Sequence, residues 1–306
     1  MNVARVWTKM ARKKSVLVDG NNALYHYYDP LSTLEHQGVP CGAVDGLLRL
    51  LQRMDETHAP EHICVMFDSK DRVTTRQVMQ PSYKGDRRPT PASLVPQFAQ
   101  AKAALQKRHV NCIEWPGVEA DDLIASYATQ YTATGFDVLL ISNDNDFLQL
   151  VRGEDRGTTA TATAATVATA VTTTDVAVDL VATAPAAPVV ELYQPSKRRY
   201  IRERSLRGRF GLDPKLLPDF HALCGHQWKH LPRVDNLTDE VAVQLLTQYG
   251  GLYSLLRQLD ALEDPALCTT LKQGISAIEG SYRIVKLIDS VALPVAIEDL
   301  QRPQWT

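Results

Sequence analysis

The stretch GVEADDLIASYA at 117–128 sets Glu119, Asp121 and Asp122 within four positions, directly ahead of an apolar, helix-like run. Acids in a first helical turn complement the positive end of the helix dipole and cap free amides, which accounts for one or two of them but seldom for three. Four more acids close apolar runs: Asp19 in SVLVDG, Asp68 in ICVMFD, and Asp144 and Asp146 in VLLISNDND. Pooled at one place, such carboxylates repel each other, so either their pKa values rise or a cation joins them. Mg²⁺ and Mn²⁺ prefer oxygen ligands, and a pair of such ions can clamp the attacking and leaving oxygens of a phosphodiester. Taken singly, each acid is as well explained by a cap or a turn. Taken together, at three strand ends and one helix start, the set points to a shared divalent cation.

The pooling depends on the elements that carry these acids. Short apolar runs at 15–20, 63–68 and 138–146 read as buried strands, and helical patterns lie between them at 44–54, 93–108 and 121–131. Strands alternating with helices predict an α/β fold with a mostly parallel sheet, and in such sheets the carboxyl ends of the strands share one crevice. After a low-complexity Ala/Thr-rich stretch within 153–189, read as an insertion, the remainder from 190 to 306 is mainly helical, with a short strand expected at 190–193. Its apolar periodicity is clearest at 217–225, 239–259 and 281–291, with Gly250 and Gly251 expected to split the middle run.

Bulk properties narrow the partners. The chain has 306 residues, 44% hydrophobic content and a formal charge of −2, so affinity for nucleic acid has to come from local basic surfaces. Five cysteines without CxxC spacing fit free thiols in a reducing, intracellular compartment. The basic residues 1–14 read as a lead into the first strand, with an organelle address as the alternative. No apolar run reaches the roughly 20 residues needed to cross a bilayer, and a monomer is expected. Two basic segments stand out. The stretch from 72 to 88 carries Arg76, Lys84, Arg87 and Arg88 beside Tyr83, and KRRYIRERSLRGR carries Lys197, Arg198, Arg199, Arg202 and Arg204. Cations beside an aromatic suit a flexible single strand, whereas a solvated charged loop or helix face has the same composition.

In order and spacing, VDGNN (18–22), MFD (66–68), YKGDRR (83–88), GVEADD (117–122) and SNDNDFLQLV (142–151) resemble the motifs of the 5′ nuclease family. That family comprises the 5′–3′ exonuclease domains of bacterial DNA polymerases, phage 5′ exonucleases and flap endonucleases. The resemblance implies a PIN-like α/β domain over about 15–152, with an arch segment near 70–110, followed by a helix-three-turn-helix, SAM-like region. It also implies divalent-metal-dependent hydrolysis of DNA at a 5′ end or flap. By position, Asp19, Asp68, Glu119, Asp121, Asp122, Asp144 and Asp146 take the place of the family's first metal cluster. Lys84 and Arg87 take the place of the arch cations that polarise the scissile phosphate, with Arg76, Tyr83 and Arg88 as further nucleic-acid contacts.

The second half departs from the family pattern. His226 and Lys229 stand where aspartates complete a second metal site, so one Mg²⁺ or Mn²⁺ site is expected and the second is reduced. Asn236, Thr238 and Glu240 replace the glycines and lysine of a DNA-clamping hairpin. Side-chain contacts from Lys197 to Arg204 are the expected replacement. Two readings result: a 5′–3′ exonuclease or flap-type endonuclease, alone or beside a separate polymerase, and a catalytically inactive relative that keeps the fold as a nucleic-acid-binding or assembly module.

Overall fold

The computed structural model describes residues 12–36, 38–69, 74–80, 83, 85, 88–153 and 187–305. The expected basic lead and nearly all of the Ala/Thr-rich insertion lie outside these residues. β1 (Lys14–Asp19) runs into α1 (Gly20–Tyr27), and a short hairpin, β2 (Glu35–His36) and β3 (Val39–Pro40), precedes α2 (Gly42–His58). Next come β4 (His62–Phe67), α3 (Thr75–Met79), α4 (Val95–Gln106), β5 (Asn111–Glu114), α5 (Ala120–Ala133) and β6 (Asp137–Ile141). β7 (Val190–Gln194) and β8 (Arg199–Ile201) complete a sheet of order β5-β4-β1-β6-β7-β8, parallel except for β8. The sheet therefore extends past residue 190, taking in the short strand expected at 190–193 as β7 and adding β8, which the sequence did not suggest.

The strands read as unbroken apolar runs because both faces are covered. Side chains alternate across the sheet: Leu17 of β1 packs with α5, while Val16 and Val18 join the core formed with α1, α2 and α4. Val18 lies opposite Val65 of β4 and Ile141 of β6, so the three strands end at one edge and deliver their terminal acids there.

The helical region contains α6 (Glu203–Phe210), α7 (Leu217–Cys224), α8 (Asp239–Tyr249), α9 (Leu252–Arg257) and α10 (Pro265–Val285), with α7 to α10 around a separate core. Gly250 and Gly251, both at positive φ, separate α8 from α9 as expected. α10 starts 16 residues before the periodic run at 281–291 and ends inside it. Its end is set by tertiary contacts: Arg76 binds the carbonyls of Ile284 and Lys286, and Asp122 accepts from the Ile288 amide. The following strap runs back along the sheet domain, tied by Tyr127 to Val295 and by Asn111 to Gln301. Among the described residues no helix is long and apolar enough to cross a membrane, and the five cysteines are free thiols.

Candidate active site

Asp19, Asp68, Asp121 and Asp144, from β1, the end of β4, α5 and the end of β6, line one open cleft of about 390 Å³ together with Asn21, Asn22, Tyr25 and Arg88. Asp19 caps α1, accepting from the Asn22 amide at 2.9 Å, and its other oxygen accepts from Ser142 Oγ at 3.0 Å. Burial pushes its carboxyl up to about 6 against these hydrogen bonds, with repulsion from Asp68 and Asp144 adding to the rise. Asp68 accepts from Asn21 Nδ2 and from the Ala120 amide at 2.9 Å, so the start of α5 is docked onto the end of β4. Asn22 Oδ1 accepts from both the backbone amide and the side chain of Asn143, each at 3.0 Å, and so holds β6's terminal loop beside α1. Nothing but the NN of VDGNN announced this carboxamide scaffold in the sequence.

At the mouth of the cleft, Arg88 is exposed. Tyr25 is 45% exposed, hydrogen-bonded to Thr90 Oγ1 and edge-on to Phe98. Burial lowers the pKa of neighbouring His26, so at neutral pH it offers a phosphate less charge than an arginine would. Lys84 and Arg87 lie outside the described residues.

The remaining acids of the expected cluster are already engaged. Asp122 is held in a fork by Arg76, with N–O distances of 2.7 and 2.9 Å, and Arg76 is only 2% exposed. Burial opposes the guanidinium's charge, but the bonds and field of Asp122 and the field of Glu119 prevail and raise its pKa. Arg76 is therefore an internal strut and not a contact for nucleic acid. Asp122 is its counter-ion, with both carboxylate oxygens bound by the guanidinium. Glu119 accepts from Thr74 Oγ1 at 2.9 Å and lies 3.6 Å from Arg76. Tyr83, expected to stack on a base, is 7% exposed and directs its hydroxyl to Glu119. Thr74 forms a capping box with Gln77 at the start of α3, so Glu119 anchors the helix at the base of the expected arch.

Asp146 also departs from expectation. Its Oδ2 lies 2.5 Å from the ammonium of Lys229, and the two side chains are 15% and 12% exposed. His226, the other altered position, packs edge-on against His221 at 4.9 Å and is half-buried. Burial depresses both imidazoles, His221 down to about 4, so they are neutral near pH 7.

Among the described residues, no three His, Cys, Asp or Glu side chains are drawn together into a ready-made metal cage. The donor chemistry of the cleft still fits a hard divalent ion, since its four carboxylates and two carboxamides are oxygen donors without thiol or imidazole. Magnesium in particular retains several waters and needs only one or two carboxylates.

Residues 14–179 match the family described as the 5′-3′ exonuclease N-terminal resolvase-like domain, and residues 212–306 match the 5′-3′ exonuclease C-terminal SAM fold. The chain belongs to the 5′–3′ exonuclease family. DNA polymerase I of Rhizobium leguminosarum is 29% identical over 293 residues, covering 93% of this chain but 25% of that protein. A 5′-3′ exonuclease of Aquifex aeolicus is 26% identical over 292 residues, covering 94% of this chain and 86% of that protein. The chain thus spans about a quarter to a third of the length of the DNA polymerase I relatives it matches. In solved structures, the fold is similar to that of a bacteriophage T5 flap endonuclease variant in complex with DNA and metal ions. That match has a TM-score of 0.64 and 17% identity over 90% of each chain. The zinc-bound T5 5′-exonuclease matches with a TM-score of 0.62 at 17% identity, again over 90% of each chain.

Within this 5′–3′ exonuclease fold, the expected hairpin around Asn236, Thr238 and Glu240 is tied by side chains. Arg233 binds the Leu237 carbonyl and Asp239 Oδ1, Asn236 takes a left-handed conformation, and Thr238 caps α8. On the hairpin of β7 and β8, Lys197, Arg198 and Arg199 are exposed, as is Arg204 in the first turn of α6. Ser196 in its turn bonds Asn143, which fixes the hairpin to the cleft edge of β6. Arg202 is paired with Glu191 at 2.5 Å, which corrects its assignment as a free contact.

Proposed function

We propose that this chain is a divalent-metal-dependent 5′–3′ exonuclease or flap-type endonuclease that hydrolyses phosphodiesters of DNA. The observation that carries the reading is the convergence of Asp19, Asp68, Asp121 and Asp144 from four separate elements on one open cleft. Burial and mutual repulsion already raise the Asp19 carboxyl, and a pool of this kind is quieted by a cation. A divalent ion held by these four acids supplies positive charge that offsets the charge developing on the reacting phosphate. The chain's own residues do the rest. Arg88 neutralises a phosphate at the mouth, and the Tyr25 ring supports an unpaired base. Asn21, Asn22 and Ser142 hold the carboxylates so that little reorganisation is needed during the reaction. Lys197 and Arg198 of the neighbouring hairpin and Arg204 at the start of α6 extend the basic track.

The test is incubation of the purified chain with a labelled 5′-flap duplex in Mg²⁺ or Mn²⁺, beside a chelated sample and Asp144→Asn. Divalent-dependent cleavage that is lost in both controls supports the enzyme. Binding without cleavage, the same in wild type and Asp144→Asn, overturns it in favour of a binding module.

A further inference from the structure

Resting on the reading of the cleft as a divalent-ion site, we propose that Lys229 is a resident cation at its edge. Its ammonium, locked on Asp146, takes the place of a further divalent ion, so that ion uptake is confined to Asp19, Asp68, Asp121 and Asp144.

Three observations converge on this. The ammonium is 2.5 Å from Asp146 Oδ2, with both side chains largely withdrawn from water, so solvent and salt screen the pair weakly. Asp146 is bound to the cleft through its own backbone, because its amide donates to Asp144 Oδ1 at 2.9 Å. Charge placed on Asp146 is therefore felt at Asp144, a cleft acid. Finally, the turn that presents Lys229 is rigidly built. His226 and Leu231 exchange backbone hydrogen bonds at 3.1 and 3.2 Å across it, and the Lys229 amide bonds the His226 carbonyl. Gly225 enters the turn at φ +77, where a Cβ would lie 2.7 Å from the Leu231 carbonyl. The lysine is thus aimed across 83 positions of sequence at one carboxylate. A divalent ion seeking Asp146 must displace this ammonium and also faces its repulsion.

Manganese binding, counted per protein by the loss of the free-ion electron paramagnetic resonance signal, tests the proposal. Lys229→Met keeps the aliphatic stem and frees Asp146, and it is expected to bind one more ion than wild type. Lys229→Arg, which keeps the charge, is expected to bind the wild-type number, and so is the double variant Asp146→Asn/Lys229→Met. In chelator, Lys229→Met is expected to melt below wild type and to regain that loss when Mg²⁺ is added, which no loss of packing alone would reproduce. An unchanged ion count in folded Lys229→Met overturns the proposal, as does a Lys229→Met protein that stays unfolded with and without divalent ion. Wild type binding no divalent ion at all overturns the reading of the cleft along with it.

Discussion

Two acidic regions lie side by side at the carboxyl edge of the sheet, and they use the same residue type for opposite ends. In the cleft, Asp19, Asp68 and Asp144 are held by amides, a carboxamide and a serine beside Asp121, with Arg88 at the mouth as a cation among the described lining residues. At the same start of α5, Glu119 and Asp122 are buried on Arg76, which also seizes the carbonyls ending α10. The first region gathers its charge around an open cleft. The second neutralises its charge to dock the helical region against the sheet. Neighbouring letters of GVEADD therefore part company: Asp121 faces the cleft and Asp122 the strut.

This contrast can be broken by substitution. The largest expected effect on chemistry is from Asp68→Asn, which should lower the rate of flap cleavage by about 10²–10³-fold while leaving the melting temperature near that of wild type. The largest effect on folding is expected from Arg76→Met, which strands Asp122 and Glu119 as buried charges. Loss of one partner from a buried pair costs about 3–5 kcal/mol, measurable by urea denaturation. Were Arg76→Met stable but unable to cleave, the strut would belong to the site.

A smaller effect follows from Asp19. Its folded-state pKa, raised to about 6 from 3.8 by burial, means that the folded protein binds more protons than the unfolded chain between those values. Stability of the ion-free protein therefore falls as pH rises through that window and stays reduced above it, by a total of order 1–3 kcal/mol. In chelator at pH 7.5, Asp19→Asn should be the more stable protein, with the difference closing towards pH 4. The smallest expected effect is from Arg88→Ala, which should weaken binding of single-stranded DNA several-fold and reduce the salt slope by about one unit. Titration of binding against salt by fluorescence anisotropy reads both.

The sheet and its acid-bearing ends were legible because buried parallel strands make continuous apolar runs, and each such run stopped at an acid. The start of α5 and the break at Gly250 and Gly251 were legible for equally local reasons. Strand β5 was not, since Asn111–Glu114 is short and half polar, and neither was the end of α10, which contacts with Arg76 and Asp122 impose from more than 160 positions away. The acids themselves were found, but their division was not. Whether Asp121 or Asp122 faces the cleft depends on a guanidinium from α3, and periodicity carries no trace of that pairing. Tyr83 and Arg76 were misread for the same reason, as composition alone does not distinguish a basic aromatic loop from a buried strut. The lysine at 229 was visible as a departure in charge, whereas its partner, Asp146, was not.

The division of labour among the acids is most directly tested by titrating wild type, Asp68→Asn/Asp144→Asn and Asp122→Asn with manganese under conditions where all three are folded. Loss of ion uptake in the double variant, with uptake by Asp122→Asn close to wild type, is the expected result. Unimpaired uptake without Asp68 and Asp144, or uptake abolished by Asp122→Asn alone, would contradict it.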